Sequence, residues 1–253
     1  MKLRFGKSGR RPRPIALLAA AALSAATLVT AAPVAANASA TTTVTYQIGT
    51  DWGTGFQAQL TITPSVAVTN GWTLEFDAGD QQTLMLAAYA ASSQSGRHIT
   101  LSNRSFNAAI AAGATLNLIV QFNNPSYSTV PPSGFVFNGQ AAAYTPSPRI
   151  VLSNFKPTVP EGGSSTVTVQ LSQPPASTVV FQLLGPSSPA ITATAGPLTF
   201  TSANWNAPQT LTLSSPPDSD TVNQTATYQI EQIQGYPTIY PNVIFLATQL
   251  DNG

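Results

Sequence analysis

Phe56-Gln-Ala-Gln-Leu-Thr-Ile62 decides the fold class of this chain: apolar and polar residues exchange places at every step. A period of two belongs to a β-strand, whose successive side chains leave opposite faces. The same period returns in Val44-Thr-Tyr-Gln-Ile48, in Trp72-Thr-Leu-Glu-Phe76 and in Leu116-Asn-Leu-Ile-Val-Gln-Phe122. It continues in Val167-Thr-Val-Gln-Leu171, Leu211-Thr-Leu213 and Tyr228-Gln-Ile230. Thr, Val and Tyr fill these runs, and Gly, Pro, Asn or Ser separate them, as strands and turns require. Many short strands with frequent turn signals predict an all-β chain made of two β-sandwiches in tandem.

The boundary between the sandwiches is expected at Ala143-Tyr-Thr-Pro-Ser-Pro148, where two prolines flank a small polar residue. The first domain then covers 41–144, a short linker 145–149, and the second domain 150–253. The two halves do not read as copies of one another. The linker is short, so the domains should sit nearly against each other.

Residues 1–40 read differently. Lys2, Arg4, Lys7, Arg10, Arg11 and Arg13 hold six of the ten basic residues and precede an apolar run from Ile15 to Ala32. Small residues then offer two A-x-A sites, Ala36-Asn-Ala38 and Ala38-Ser-Ala40. Basic region, apolar region and cleavage region together predict a secretory signal peptide and an extracellular protein. A membrane anchor is the alternative, but the run is short for a span and no charged stop-transfer segment follows. No second long apolar run would hold the chain in a membrane after cleavage.

Removal of the signal leaves Arg97, Arg104, Arg149 and Lys156 against nine acidic residues, so the formal charge moves from +1 to −5. Four scattered cations make no electrostatic footprint for nucleic acid or for an anionic membrane. With no cysteine in the chain, disulfides and thiolate metal sites are excluded. The fold must therefore rest on buried apolar surface.

The tryptophans divide by local pattern. Trp72 is in phase with Leu74 and Phe76 and should be core. Trp52 sits in the turn-like Asp51-Trp-Gly-Thr-Gly55, without alternation around it. It is either a plug over a sandwich end or an exposed platform. An exposed flat aromatic suits a sugar ring, whose axial C–H face stacks on a π-face and sheds water there.

A series of short motifs resembles a known family. Trp52-Gly-Thr-Gly-Phe56, Asn70-Gly-Trp-Thr-Leu74, Ser105-Phe-Asn-Ala-Ala-Ile-Ala-Ala-Gly113, Pro132-Ser-Gly-Phe135 and Phe137-Asn-Gly139 stand in order. They are similar to the family 2 carbohydrate-binding modules of secreted actinobacterial cellulases, chitinases and xylanases, over essentially all of 41–144. The resemblance implies a β-sandwich with three aromatics on a flat face that stack on a polysaccharide chain. The first platform matches Trp52. The family's second falls near Tyr89, and its third, usually Trp before Asn, is Phe106 here. A phenol and a phenyl in place of two indoles keep the flat faces but shrink the stacking area. The family's terminal cysteine pair is absent. Asn107 and Gln59 are candidates for hydrogen bonds to sugar hydroxyls.

The second half holds Val159-Pro-Glu-Gly-Gly163, Asn204-Trp-Asn-Ala-Pro-Gln209 and Asp218-Ser-Asp220. This order is similar to Calx-beta-like, immunoglobulin-type domains, over 150–253. Trp205 is expected to close that sandwich. Some relatives bind calcium through acidic loops, and Glu161, Asp218, Asp220 and Asp251 fall where such oxygens would gather. Calcium takes six to eight oxygens, so the preferred expectation is no cofactor, with these residues as solvated turn formers.

Catalytic chemistry finds little here. His98 is the only histidine, which excludes a multi-histidine copper or zinc site, and no carboxylate partner for it is evident in the sequence. Glu75, Asp77 and Asp80 lie close together, but alternation turns Glu75 and Asp77 away from Phe76, as solvated edge charges rather than a hydrolase pair. The expected function is therefore a secreted, non-enzymatic protein that binds insoluble polysaccharide: cellulose, chitin or xylan. Two alternatives differ in class: a structural or adhesive surface protein with a degenerate sugar site, and the accessory part of a glycoside hydrolase.

Overall fold

The structure, a computed structural model, describes residues 41–236 and 239–252; the signal peptide expected at 1–40 lies outside them. The described residues form strands and no helix. In the first half these are β1 (Thr43–Asp51), β2 (Gly55–Thr63), β3 (Thr73–Asp77), β4 (Thr83–Ala88) and β5 (Ala90–Ser95). They are followed by β6 (His98–Asn103), β7 (Leu116–Asn123), β8 (Ser133–Phe137), β9 (Gln140–Ala141) and β10 (Ala143–Tyr144).

Two five-stranded sheets, ordered β10-β1-β2-β7-β4 and β5-β6-β3-β8-β9, face each other. The period-two runs explain which side each residue takes. Phe56, Ala58, Leu60 and Ile62 point into the core, as do Leu118, Val120 and Phe122 of the neighbouring β7. Trp72, Leu74 and Phe76 enter the same core from the other sheet. At about 25 cal/mol per Å² of apolar surface, this burial is the main favourable term for a domain without disulfides.

The second half contains β11 (Ile150–Leu152), β12 (Thr158–Pro160), β13 (Ser164–Leu171), β14 (Val179–Leu184) and β15 (Thr192–Thr194). It continues with β16 (Leu198–Phe200), β17 (Gln209–Ser214), β18 (Thr225–Gln234) and β19 (Val243–Leu250). A four-stranded sheet, β11-β13-β17-β15, faces a five-stranded one, β12-β19-β18-β14-β16. Their core is separate from the first and is built on Phe181, Phe200, Tyr228 and Phe245. Trp205, expected to close this sandwich, lies half-buried against that core.

The connection between the sandwiches is held down rather than loose. β10 pairs with β1, and the Ser147 hydroxyl donates to the Tyr46 carbonyl at 3.0 Å. A cavity of about 30 Å³ remains at the junction, between Tyr46, Tyr144, Arg149 and Val243 among others. Burial there pushes the Tyr144 phenol up to about 12 and lowers the Arg149 guanidinium.

Two expectations about polar residues change. Glu75 and Asp77 are solvent-facing, but β3 is the central strand of its sheet, so they are not edge charges. His98 does have carboxylate partners. Asp77 stands opposite it on β3, with Nδ1 3.2 Å from Asp77 Oδ1 and Nε2 3.6 Å from Glu75 Oε2. The partners come from an adjacent strand, and strand pairing is invisible in a linear sequence. Both imidazole nitrogens face carboxylates, so neither faces a hydroxyl nucleophile.

Candidate functional site

The outer face of the sheet β10-β1-β2-β7-β4 carries polar side chains on β2 and β7, and exposed aromatics lie in neighbouring turns. On β2 and β7 the outward residues form a lattice of side-chain amides. Gln121 Nε2 donates to Gln57 Oε1 at 3.0 Å, and Gln59 Nε2 to Asn117 Oδ1 at 3.2 Å. Thr61 Oγ1 also donates to Asn117 Oδ1, at 2.8 Å. These bonds orient the amides while leaving hydrogen-bonding capacity toward solvent, because each amide carries more donors and lone pairs than the lattice uses.

Trp52 lies at one end of this lattice. Its loop closes through Trp52 N to the Gly55 carbonyl at 3.0 Å and through Gly53 N to Asp51 Oδ1 at 2.7 Å. Gly55 shares the outward phase of Gln57 and Gln59, and the indole occupies the space where a side chain at 55 would stand. A Cβ there would come within 2.6 Å of the indole Nε1 and of the Phe122 carbonyl oxygen. The plug and platform readings thus converge: the indole is seated on the sheet, yet the residue stays 45 % exposed.

Asp51 anchors the loop from behind. Its Oδ2 is buried without a hydrogen bond, and burial pushes the carboxyl up to about 6 against the lowering effect of the Gly53 and Ile244 amides. The Ile244 amide belongs to β19 and faces the carboxylate without reaching hydrogen-bond geometry.

Tyr89 and Phe106 are both exposed on the same sandwich, Tyr89 directly after the edge strand β4, whose Ala88 pairs with Ile119 of β7, and Phe106 in the turn after β6. Along β7, the position facing Gly55 and the position facing Ala88 are four residues apart, ~14 Å at the strand rise. Tyr89 is the single residue between β4 and β5, with φ 68° and 56 % of its surface exposed. A non-glycine residue in the left-handed region is uncommon and needs an external hold. Asn107 supplies it: its Nδ2 donates to the Tyr89 carbonyl at 2.7 Å and its Oδ1 accepts from Arg104 N at 2.7 Å. The Asn107 carbonyl in turn accepts from the indole of buried Trp72 at 2.9 Å. Phe106 rides on the same turn, 71 % exposed.

Asn107 was expected to offer bonds to sugar hydroxyls. One N–H and one lone pair of its amide are engaged within the protein, so Asn107 braces the Tyr89 backbone and its own turn. Gln59 lies in the lattice. Sequence reasoning missed Gln57, Asn117 and Gln121, although alternation around Phe56 and Phe122 carried the signal that two of them face outward. It also missed Met85 and Leu86, which extend the exposed apolar rim on the edge strand β4. Met85 is the extra residue of a bulge, and a bulge leaves no mark in the alternation.

The acidic residues of the second sandwich come together only in part. Single carboxylate oxygens of Asp218, Asp220 and Asp251 lie within 4.8 Å of one another, and Glu161 is not in the group. Much of their acceptor capacity is spent on nearby N–H groups. Asp218 Oδ1 accepts from Asp220 N at 3.1 Å and Asp220 Oδ1 from Val222 N at 2.8 Å, the turn pattern of aspartates. Asp218 Oδ2 takes Gln224 at 3.1 Å and Gln249 at 3.2 Å, while Glu161 Oε1 takes Asp218 N at 2.6 Å. Calcium takes six to eight oxygens, and this group brings three carboxylates together, two of which also serve as turn acceptors.

Comparison with known proteins bears on the first sandwich. A family model described as "Cellulose binding domain" matches residues 42–142. A cellulose/chitin binding protein of Mycobacterium tuberculosis is 35 % identical over 103 residues, 40 % of this chain and 71 % of that protein. Exoglucanase A of Cellulomonas fimi is 34 % identical over 121 residues, 47 % of this chain and 14 % of the enzyme. The chain thus spans a small part of that enzyme's length. Among solved structures, the chitin-binding domain of Chi18aC from Streptomyces coelicolor is 29 % identical, with a TM-score of 0.34, covering 40 % of this chain and 94 % of that one.

Proposed function

Since the chain belongs to the cellulose binding domain family over residues 42–142, we propose that it is a secreted, non-catalytic protein that adsorbs to an insoluble β-linked glycan: cellulose, chitin or xylan. One observation carries this reading: the Trp52 indole is seated over Gly55 at the end of an outward lattice of amides, with Tyr89 and Phe106 exposed on the same sandwich. Sugar rings stack their C–H faces on the rings of Trp52, Tyr89 and Phe106, burying apolar area on both sides. Gln57, Gln59, Asn117 and Gln121 exchange hydrogen bonds with ring hydroxyls between the platforms. A sugar chain pressed on this face replaces many weakly held waters at once, and amides already oriented by one another need little rearrangement to receive it.

The basic and apolar segments of residues 1–40 support export. We read the second sandwich as a Calx-beta-like, immunoglobulin-type domain, on its Asn204-Trp-Asn-Ala-Pro-Gln209 segment and its two facing sheets.

The test is co-sedimentation of residues 41–253 with microcrystalline cellulose, chitin and insoluble xylan, with Trp52→Ala alongside. Wild type should enter the pellet of at least one glycan, and Trp52→Ala should stay largely in solution. A folded wild type that remains in solution with all three overturns the reading.

A further inference from the structure

Ile244 stands on the wrong side of its sheet to be buried. Val243, Phe245 and Ala247 of β19 belong to the core of the second sandwich. The period of two therefore sends Ile244 outward. It is nevertheless only 9 % exposed and belongs to neither core. Part of its surface borders an open hollow beside Leu184 and Pro186. Its Cγ2 meets the first sandwich at Gly53, in the loop that carries Trp52. A Cβ at Gly53 would come within 3.2 Å of Ile244 Cγ2 and 2.7 Å of the Tyr127 ring.

The loop is thus clamped. Gly53, at φ 86°, passes between Tyr127 and Ile244 where no side chain fits. Asp51, the residue before Trp52, ties to Gly53 N on one oxygen and turns toward the Ile244 amide. On the front of the same loop the indole rests on Gly55. Moving its back wall moves its front.

We propose that the second sandwich is a working part of the binding face, with Ile244 as the positioning residue that holds the Trp52 loop in its stacking posture. This rests on the reading of Trp52 as a sugar platform. A spacer domain would leave binding unchanged when its surface is altered; a clamp would not.

The experiment uses residues 41–253 and an adsorption isotherm on the glycan that wild type prefers. Ile244→Ala removes the clamp, and Ile244→Leu keeps the volume while removing Cγ2, which reads the contact even if the alanine variant fails to fold. Ile244→Val retains Cγ2 and should restore binding. Leu250→Ala trims an exposed residue of the same strand, ~20 Å away at the strand rise, as control. Acrylamide quenching follows Trp52, the most exposed of the three tryptophans.

The expected result is adsorption weakened about fivefold or more in the Ala and Leu variants, the lower range of coupling between sites. Quenching should rise in those two, while Val and Leu250→Ala behave as wild type. Wild-type adsorption and quenching in Ile244→Ala or Ile244→Leu overturn the clamp, and if Trp52→Ala still loses binding the sugar-platform reading stands. Equal losses in all variants, Leu250→Ala included, overturn it as well, by reducing the effect to general destabilisation. A wild type that adsorbs to no glycan overturns the platform reading and the clamp with it.

Discussion

Asp51 holds a charge where burial opposes it, and this gives the loop a pH signature. Its carboxyl sits at about 6 in the folded protein, above the ordinary 3.8. Between those values the native chain keeps a proton that the unfolded chain has lost. The stability this proton supplies is complete below pH ~4, falls as pH rises through ~6, and stays lost above that. Asp51→Asn keeps an oxygen for Gly53 N and carries no charge at any pH. Thermal unfolding of the two proteins should diverge in favour of Asn from pH 4 to 6, with a constant difference from pH 7 to 8. A difference that does not change with pH would refute the assignment. None of this was legible at Asp51 itself, because one of the amides that face its carboxyl, that of Ile244, lies almost two hundred residues away. Trp72 was legible, since its phase with Leu74 and Phe76 fixed its side; Trp52 was not, because a loop has no phase.

At the scale of elements, alternation located the strands but not their neighbours. Outward residues such as Gln57 and Gln121 follow from period two alone. Their pairing into an amide lattice needs the β2–β7 register, and so does the placing of His98 between two carboxylates. Register is set by how whole strands pack, so it cannot be read from any one of them. The turn around Phe106 shows the same limit. Asn107 looked like a ligand contact, and it is the link between the Tyr89 backbone, Arg104 and buried Trp72. Asn107→Ala deletes two side-chain hydrogen bonds and should cost about 1–2 kcal/mol in chemical denaturation. It should weaken adsorption less than Trp52→Ala does, because it removes a brace and no aromatic platform. Binding loss as large as for Trp52→Ala, with stability unchanged, would return Asn107 to the sugar face.

At the scale of the molecule, two cores built without cysteine or histidine clusters share one junction, and the platform loop lies at it. The contact that joins the two sandwiches, Ile244 on Gly53, had no signal in sequence. The acidic group at Asp218 and Asp220 is a set of turns whose oxygens are engaged by backbone and glutamine donors. Millimolar calcium, or a chelator in its place, should therefore leave the melting temperature of residues 41–253 unchanged; a rise with calcium of several degrees would show a fuller oxygen shell than the turns provide. The most direct trial of the binding face remains a depletion isotherm on the preferred glycan for wild type and Trp52→Ala at equal fold stability. Removing the indole should raise the apparent Kd at least tenfold, about 1.4 kcal/mol, and superimposable isotherms would contradict a face built around Trp52.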